Sequence, residues 1–298
     1  MKQRLYISES LENTDKGRNV AKELKTLGSD SSLEMEVSVI PNLLNRKNEW
    51  CRDYMPVKAA DGTLILFRYY PSYLRGSLSN LKTIPDQPYL CDNLSLKYKV
   101  SEIILDGGAI EICEGSGIVS DRVFRDNYDV WKQDEKGLLL KLKDELRLSK
   151  LFVIPQHPYD FTGHVDGLVR FINKKKVLIN DLSSEFRMMK GDKNLYRKKL
   201  IDQWYYSFKM SLNNAGLGWE ELVCATDFDK PSSDAYGIYM NFLLLEKIVV
   251  VPGFESELDI KARDHLEYYY ERKSITIQAT ELAKKGGILN CVTWQSFV

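Results

Sequence analysis

The sequence is poor in the patterns that identify several large classes of protein. Its five cysteines are odd in number, widely separated and without a C-x-x-C pair, so we predict no disulfide framework and expect a reducing, cytoplasmic compartment. Lysine plus arginine and aspartate plus glutamate both total 42, and this zero net charge gives no support to binding of nucleic acid or of an anionic membrane. No apolar run approaches the roughly 20 residues that span a bilayer, and the first residues lack the apolar region of a secretory signal.

Signatures of metal-dependent, nucleotide-dependent and serine-dependent enzymes are also missing. The chain has three histidines and no H-x-x-x-H or paired-cysteine spacing, which argues against a zinc site. Asp106-Gly107-Gly108 lacks the third glycine and the following helix of a dinucleotide-binding loop, and a G-x-S-x-G elbow is absent. We therefore predict that the protein uses neither a metal nor a cofactor.

Short apolar, β-branched segments recur along the whole chain and predict a mixed α/β fold. The predicted strands are residues 33–40, 64–69, 103–113, 151–154, 168–172, 176–179, 238–245, 248–251, 274–277 and 288–294, and the predicted helices are 16–27, 194–213 and 258–272. Strands 168–172 and 176–179 are too close for a helical crossover and predict a hairpin, so the sheets are expected to be mixed.

No Ser/Gly/Pro-rich linker divides the chain. The motifs described below extend from residue 50 to residue 291, so a site built from all of them requires the whole chain to fold around it. Residues 1–298 are therefore predicted to form one domain. The weakly patterned stretch 70–93 is predicted to be a long loop of the kind that often serves as a lid or binding loop.

The motif Gly163-His164-Val165-Asp166-Gly167 combines an imidazole with a carboxylate. Alternate side chains of an extended segment share one face, so the imidazole and the carboxylate are predicted to point the same way. The flanking glycines allow a ligand or another backbone to approach closely. This pattern favours a general acid/base beside a substrate-binding or orienting carboxylate over a polar surface turn.

Two further segments are compatible with a site but less specific. Trp50 and Asp53 supply an apolar wall and an anionic clamp suited to a flat cation, although a surface Arg52–Asp53 pair beside a buried tryptophan explains the same residues. Asp106 precedes two glycines that are equally typical of a β-bulge. Asn241, at the start of an apolar strand, is either a hydrogen-bonding residue near a turn or a supporting group of the site.

Cys291 is the candidate nucleophile. It falls in the predicted strand 288–294, where a lone cysteine is commonly a small buried hydrophobe. Two observations favour catalysis: Gly286-Gly287 allows close approach at the start of the strand, and the histidine and carboxylates lie elsewhere in the chain, as in cysteine enzymes whose groups meet only in the fold. The thiols of Cys91, Cys113 and Cys224 lack such a context and are predicted to be structural.

Taken together and in order, these motifs resemble those of the agmatine deiminase and bacterial-type peptidylarginine deiminase family. The matching elements are Trp50-x-Arg52-Asp53-x-x-Pro56, Asp106-Gly107-Gly108, Gly163-His164-Val165-Asp166-Gly167, Tyr239-x-Asn241-Phe242, Val250-Val251-Pro252 and Gly286-Gly287-Ile288-Leu289-Asn290-Cys291-Val292-Thr293. The resemblance implies the pentein fold, a five-bladed, pseudo-fivefold α/β propeller with short mixed sheets, helices outside and the site on its axis. The family usually has Glu in place of Asp106 and Gln-Gln in place of Trp294-Gln295.

The resemblance also implies roles for individual residues. Cys291 would be the nucleophile, His164 the general acid/base, and Asp53 and Asp166 the carboxylates that hold a guanidinium group. The residues expected to contact the substrate are Trp50, Arg52, Asp106 and Asn241. The implied reaction is hydrolysis of the guanidinium to a ureido group and ammonia through a covalent thiouronium.

The sequence leaves the substrate open. Agmatine, converted to N-carbamoylputrescine in polyamine biosynthesis, is preferred; free or peptidyl arginine, converted to citrulline, are the alternatives. Free arginine needs a cation for its carboxylate, for which Arg75 and Arg170 are the candidates. An amidinotransferase of the same fold and a non-catalytic binding propeller remain open, and the sequence is also compatible with a homo-oligomer.

Overall fold

The computed structural model describes residues 3–183, 192–225 and 234–297, and within them fifteen strands form five three-stranded sheets. The strands are β1 Gln3–Ser8, β2 Met35–Ile40, β3 Val57–Lys58, β4 Leu64–Arg68, β5 Tyr98–Ile104, β6 Ile110–Cys113, β7 Ser116–Ser120, β8 Lys150–Ile154, β9 Val169–Asn173, β10 Lys176–Asp181, β11 Gly218–Val223, β12 Leu243–Leu244, β13 Ile248–Gly253, β14 Lys273–Gln278 and β15 Thr293–Phe297. The helices are α1 Glu9–Asn13, α2 Arg18–Gly28, α3 Cys51–Tyr54, α4 Ser72–Arg75, α5 Leu78–Leu81, α6 Gln87–Asn93, α7 Arg122–Asp126, α8 Tyr128–Trp131, α9 Glu135–Glu145, α10 Asp192–Asn214, α11 Leu258–Tyr270 and α12 Thr280–Ala283.

All five sheets follow one plan. The strand orders are β15-β1-β2, β3-β4-β5, β6-β7-β8, β9-β10-β11 and β12-β13-β14. In each sheet the central strand is antiparallel to the first strand named and parallel to the last. Parallel neighbours need a crossover, and helices supply it in every sheet. The predicted hairpin of β9 and β10 is confirmed.

The two ends of the chain meet in one sheet. Strand β15 pairs with β1 in a register that places Leu5 opposite Gln295 and Ile7 opposite Thr293. The last strand therefore completes the first sheet, as in a propeller that closes on itself. A residue near the end of the chain is thereby held beside segments that lie far away in sequence.

The first-named strands of the five sheets face a common cavity. The cavity of about 380 Å³ is lined by residues of all five of these strands, including Val57, Glu111, Arg170, Leu244 and Gln295. The five segments that immediately precede these strands contain the residues that the sequence singled out: Asp53, Asp106, His164, Asp166, Asn241 and Cys291. The repeating plan thus brings these segments to one end of a common axis.

Apolar packing explains the positions of the outer helices. Helix α2 buries Val20, Ala21 and Leu24 on one face and exposes charged residues on the other, as an amphipathic helix does against a sheet. Strand β13 is buried along its whole length, in agreement with its run of β-branched residues. No helix of the described residues is long and apolar enough to cross a membrane.

Several predicted elements were wrong in detail. Segment 103–113 is two strands separated by a turn, 238–245 contains a 3-10 turn followed by the short β12, and 70–93 carries helices α4, α5 and α6 instead of one long loop. Strands β1, β3, β7 and β11 were not predicted. Strand β7 was missed because the central strand of a buried sheet shows no alternation and this one begins with Ser-Gly.

Candidate active site

Cys291 lies in a turn that precedes β15, so its predicted place inside an alternating strand was wrong. The N–H groups of Val292 and Thr293 bond back to Ile288 and Asn290, which forms the turn. The strand prediction failed because the apolar side chains here are buried at the centre of the molecule without pairing in a sheet. The side chain of Cys291 is 7% exposed, and Sγ lies 3.7 Å from Oδ2 of Asp166.

Asn241 holds this turn in place. Its Oδ1 accepts hydrogen bonds from the backbone N–H of Asn290 at 3.1 Å and of Cys291 at 3.3 Å, and its Nδ2 lies 3.2 Å from Sγ of Cys291. One buried amide therefore binds both the backbone and the sulfur of the candidate nucleophile. Burial raises the pKa of the Cys291 thiol well above its usual value, and the charges of Asp166 and Asp53 raise it further.

Trp50 packs directly against the turn. A Cβ added at Gly287 would overlap its ring and would lie 3.1 Å from Cβ of Cys291. Glycine is thus required at position 287 by close approach. The amino group of Lys285 lies 6.0 Å from a ring centroid of Trp50. The indole therefore packs against Gly287, beside the turn that carries Cys291.

His164 lies between two carboxylates. Its Nε2 is 3.0 Å from Oδ2 of Asp106, and its Nδ1 is 3.7 Å from Oδ1 of Asp53. Burial disfavours the charged imidazole, but Asp53 and then Asp106 outweigh this effect and raise the pKa of His164 to about 10. The ring is therefore an imidazolium at neutral pH, able to donate a proton.

The segment that carries His164 is not the extended strand that was predicted. The backbone N–H groups of Val165 and Asp166 both donate to the carbonyl of Gly108, at 2.9 and 3.3 Å, and the chain then turns into β9. The segment is therefore held by hydrogen bonds to the loop before β6, and its side chains do not alternate between two faces as they would in a strand. His164 and Asp166 nevertheless both contribute to the same cluster.

Asp53 is the carboxylate nearest the centre of this cluster. Its Oδ1 accepts the N–H of Gly108 at 3.2 Å. Burial raises the pKa of Asp53 to about 7; His164 lowers it, whereas Asp106 and Asp166 raise it further. Three buried carboxylates facing one imidazolium leave an excess of negative charge, which favours a bound cation.

Asn290 binds Asp166 directly, and Arg52 binds Asn290. Nδ2 of Asn290 donates to its Oδ2 at 2.7 Å, and Arg52 binds Asn290 through Nε to the backbone carbonyl at 3.3 Å and through Nη2 to Oδ1 at 3.2 Å. Arg52 thus reaches Asp166 through Asn290. Sequence reasoning did not select Asn290, although it directly precedes Cys291 in the motif that was selected.

Asp106 also has a partner that was not predicted. The hydroxyl of Tyr73, on α4, donates to its Oδ2 at 2.8 Å, while Oδ1 is buried without a hydrogen-bond partner among the described residues. Tyr73 belongs to the stretch that was predicted only as a loop. Nothing in the sequence distinguished it from the other tyrosines there.

Arg75 and Arg170, the candidate partners for the carboxylate of free arginine, both form hydrogen bonds within the fold. Arg75 donates to the carbonyls of Tyr70 and Asp126. Arg170 donates to Glu111 at 3.0 Å and to the carbonyl of Phe242 at 2.9 Å. In the part of the chain that the structure describes, no group of three or more His, Cys, Asp or Glu side chains has the arrangement of a metal site.

Comparison with known proteins agrees with this geometry. Residues 11–296 match the family model of the Porphyromonas-type peptidyl-arginine deiminase. The chain is 23% identical over 220 residues to agmatine deiminase of Pseudomonas aeruginosa (strain LESB58). That alignment covers 67% of this chain and 58% of the relative, so the match spans less than two thirds of the relative's length.

Two solved structures share the fold. C. jejuni agmatine deiminase superimposes with a TM-score of 0.70 at 16% identity, covering 100% of this chain and 94% of that one. A dimethylarginine dimethylaminohydrolase adduct superimposes with a TM-score of 0.59 at 11% identity, covering 99% and 100%. Together with the five repeated sheets, this likeness confirms the predicted five-bladed pentein architecture.

Proposed function

Because the chain belongs to the Porphyromonas-type peptidyl-arginine deiminase family, we propose that it is a cysteine-dependent hydrolase that converts agmatine to N-carbamoylputrescine and ammonia. The observation that carries the proposal is the convergence of the Cys291 sulfur with Asp166 and Asn241 in a buried, negatively charged cluster. The relatives named agmatine deiminase support the choice of substrate. We further propose that residues 1–298 act as one catalytic domain.

Substrate binding depends on the carboxylates. Asp53 and Asp166 accept hydrogen bonds from the guanidinium nitrogens and place its flat face over the sulfur of Cys291, with the ring of Trp50 as a side wall. Oδ1 of Asp106 is a further acceptor for a substrate N–H, which would satisfy a buried oxygen that has no hydrogen-bond partner among the described residues. Arg52 acts indirectly, by holding Asn290 against Asp166.

The bound cation activates the nucleophile. Without it, burial and two carboxylates keep Cys291 as a thiol. A guanidinium beside the sulfur offsets the charge of Asp53 and Asp166, which lowers the thiol pKa and favours the thiolate. The thiol proton passes to a carboxylate of the cluster, of which Asp166 is the nearest to the sulfur. Binding of the substrate therefore promotes formation of the thiolate that attacks it.

The first half of the reaction releases ammonia. The Cys291 thiolate attacks the central guanidinium carbon, and a tetrahedral adduct forms with a new C–S bond. The His164 imidazolium donates its proton to one terminal nitrogen, the C–N bond breaks, and ammonia leaves. A thiouronium, in which the carbon remains bound to Sγ, is left on the enzyme.

The second half regenerates the enzyme. Neutral His164 accepts a proton from water, whose oxygen attacks the thiouronium carbon. The C–S bond then breaks, the electron pair returns to the Cys291 sulfur, and the added hydroxyl loses its proton to solvent as the ureido carbonyl forms. The proton held by Asp166 returns to the sulfur, and the ureido product leaves. His164 ends this half as the imidazolium that the next cycle requires. Asp106 and Asp53 keep the ring oriented for both steps.

The engaged state of Arg75 and Arg170 weighs against free arginine as the substrate. Both guanidinium groups already bind carbonyl or carboxylate oxygens of the fold, so a substrate carboxylate would have to displace those bonds. Agmatine lacks that carboxylate and imposes no such requirement. Its second amine adds a positive charge, which suits an acidic pocket.

A direct assay tests the proposal. Purified protein is incubated separately with agmatine, arginine and a blocked arginyl peptide, and ammonia and ureido product are measured for wild type and Cys291→Ala. We expect equal amounts of both products from agmatine and none from the variant. Amidino transfer would appear as product only when an amine acceptor is added. Ammonia from none of the three compounds would refute the hydrolase.

A further inference from the structure

One oxygen of Asp106 has two hydrogen-bond partners from different parts of the fold. Oδ2 lies 3.0 Å from Nε2 of His164 and accepts the hydroxyl of Tyr73 at 2.8 Å. Asp106 is 3% exposed, and its other oxygen has no partner among the described residues. The charge that Asp106 presents to the imidazole is therefore shared with a single phenol.

The phenol is fixed by contacts on the side away from Asp106. The guanidinium of Arg122 lies 4.9 Å from the ring centroid of Tyr73 and donates to the hydroxyl of Ser72 at 2.8 Å. The ring of Phe161 meets Tyr73 edge-on at 5.7 Å, and its carbonyl accepts a hydrogen bond from Arg122. Tyr73 also lines an open cavity of about 650 Å³, so its ring separates this cavity from Asp106.

We propose that Tyr73 is a positioning residue, whose hydroxyl weakens the hold of Asp106 on the proton of His164. A carboxylate oxygen that accepts a second hydrogen bond carries less charge toward its first partner. Among the described residues, removal of the hydroxyl would leave His164 as the one hydrogen-bond partner of the Asp106 carboxylate, and the imidazolium would be stabilised. In the proposed reaction His164 must both lose and regain this proton, so its affinity for the proton affects the rate.

The surroundings of His164 allow the effect to be isolated. The charged and titratable groups around the ring are Asp53 from α3, Asp106, Asp166 from its own segment, Tyr73 from α4, and the buried Tyr69, whose hydroxyl interacts with that of Tyr73. Tyr73→Phe changes one of these groups and keeps the ring contacts with Arg122 and Phe161. The influence on titration does not depend on the proposed function, whereas the influence on turnover rests on it.

The test is a histidine titration by NMR, which is simple because the chain has three histidines. Signals of His157, His164 and His265 are assigned by single substitutions and followed from pH 5 to at least pH 12 in wild type and Tyr73→Phe. We expect the His164 midpoint to rise by about 0.5–1 pH unit, a change of the size that loss of a hydrogen bond to a charged group produces. His157 and His265 report whether the fold is unchanged.

A matched control is Tyr98→Phe, which removes another tyrosine hydroxyl bound to an aspartate, here Asp92 at 3.0 Å, on the exposed surface. It should leave the His164 midpoint unchanged. A second variant carries 3-fluorotyrosine at position 73, a stronger donor that keeps the hydroxyl. It should move the midpoint downward, and it remains informative if Tyr73→Phe does not fold.

Kinetics complete the experiment. For agmatine, kcat of Tyr73→Phe should fall by up to about tenfold, and the pH dependence of kcat should shift in the same direction as the titration. Equal His164 midpoints in wild type and both variants would overturn the role of Tyr73 and leave the hydrolase intact. Shifted midpoints in a protein without any guanidine hydrolysis would instead support Tyr73 and refute the proposed function.

Discussion

Asn241 binds Cys291 through both ends of one side-chain amide. Its oxygen accepts the backbone N–H of Cys291 at 3.3 Å, and its nitrogen lies 3.2 Å from the sulfur of the same residue. The side-chain conformation of Cys291, the candidate nucleophile, is thus held by a buried amide 50 positions away. Cys291 lies in a turn and not in a strand, so the hydrogen bonds from its backbone N–H and that of Asn290 to Asn241 take the place of backbone pairing between strands.

Asn241→Asp is expected to fold but to lose activity. Oxygen in place of nitrogen keeps the acceptor for the turn but replaces the donor to the sulfur by negative charge, which raises the thiol pKa further. We expect kcat/KM for agmatine to fall at least about 100-fold, the loss seen when a catalytic electrostatic contact is removed. Thermal unfolding and the pH dependence of Cys291 alkylation measure the two effects. Unchanged alkylation would contradict this role of the amide.

Activity should fall as the pH drops through about 7. The pKa of Asp53 is raised to about 7, so below this value the free enzyme binds a proton on the carboxylate that should hold the guanidinium. In the pH profile of kcat/KM, which reports the free enzyme, we expect an acid limb near pH 7 with about tenfold loss per unit below it. A bound cation favours the ionised carboxylate, so the limb of kcat should lie at lower pH. A flat kcat/KM profile between pH 5 and 8 is the contrary result.

Gly108→Ala should separate His164 from Asp53. A Cβ at this position would lie 2.7 Å from Nδ1 of His164 and 2.8 Å from Oδ1 of Asp53, closer than atoms can pack. One of the two side chains must move, and kcat should fall by about 100-fold, as misplacement of reacting groups by about 1 Å can cause. The matched control is Gly76→Ala, which meets no atom within 4 Å and should retain wild-type kinetics. Equal activity of both variants would show that the site tolerates the displacement.

Leu5→Ala should destabilise the fold where the chain closes. Leu5 is fully buried on β1, between β15 and β2. Loss of its side chain leaves a cavity and should lower the free energy of unfolding by about 2–5 kcal/mol. Ile260→Ala, at a position that is 62% exposed, should change it by less than about 0.5 kcal/mol. Denaturant unfolding of both variants gives the difference, and a Leu5→Ala protein as stable as Ile260→Ala would contradict the importance of the closing sheet.

Local sequence pattern predicted the β9–β10 hairpin and the long outer helices well, because their turn residues and periodicity depend on neighbours a few positions away. It failed for β7 and for the turn at Cys291. Both are buried throughout, so neither shows the alternation of exposed polar and buried apolar residues that marks a half-buried strand, and β7 in addition begins with Ser-Gly. Whether a segment is buried at the centre of the propeller depends on the packing of all five sheets, and the residues of that segment alone do not reveal it.

The amino-acid sequence alone indicated the family and singled out Asp53, His164 and Cys291 as candidates for the chemistry, because the short motifs around them are contiguous in the chain. Only the tertiary structure decided that Asn290, Tyr73 and Gly108 support them. These contacts join residues that lie 33 to 124 positions apart: Tyr73 with Asp106, Gly108 with Asp53, and Asn290 with Asp166. Hydrogen bonds of this kind act over about 3 Å, and which side chains come within that range is settled by the closure of the five sheets.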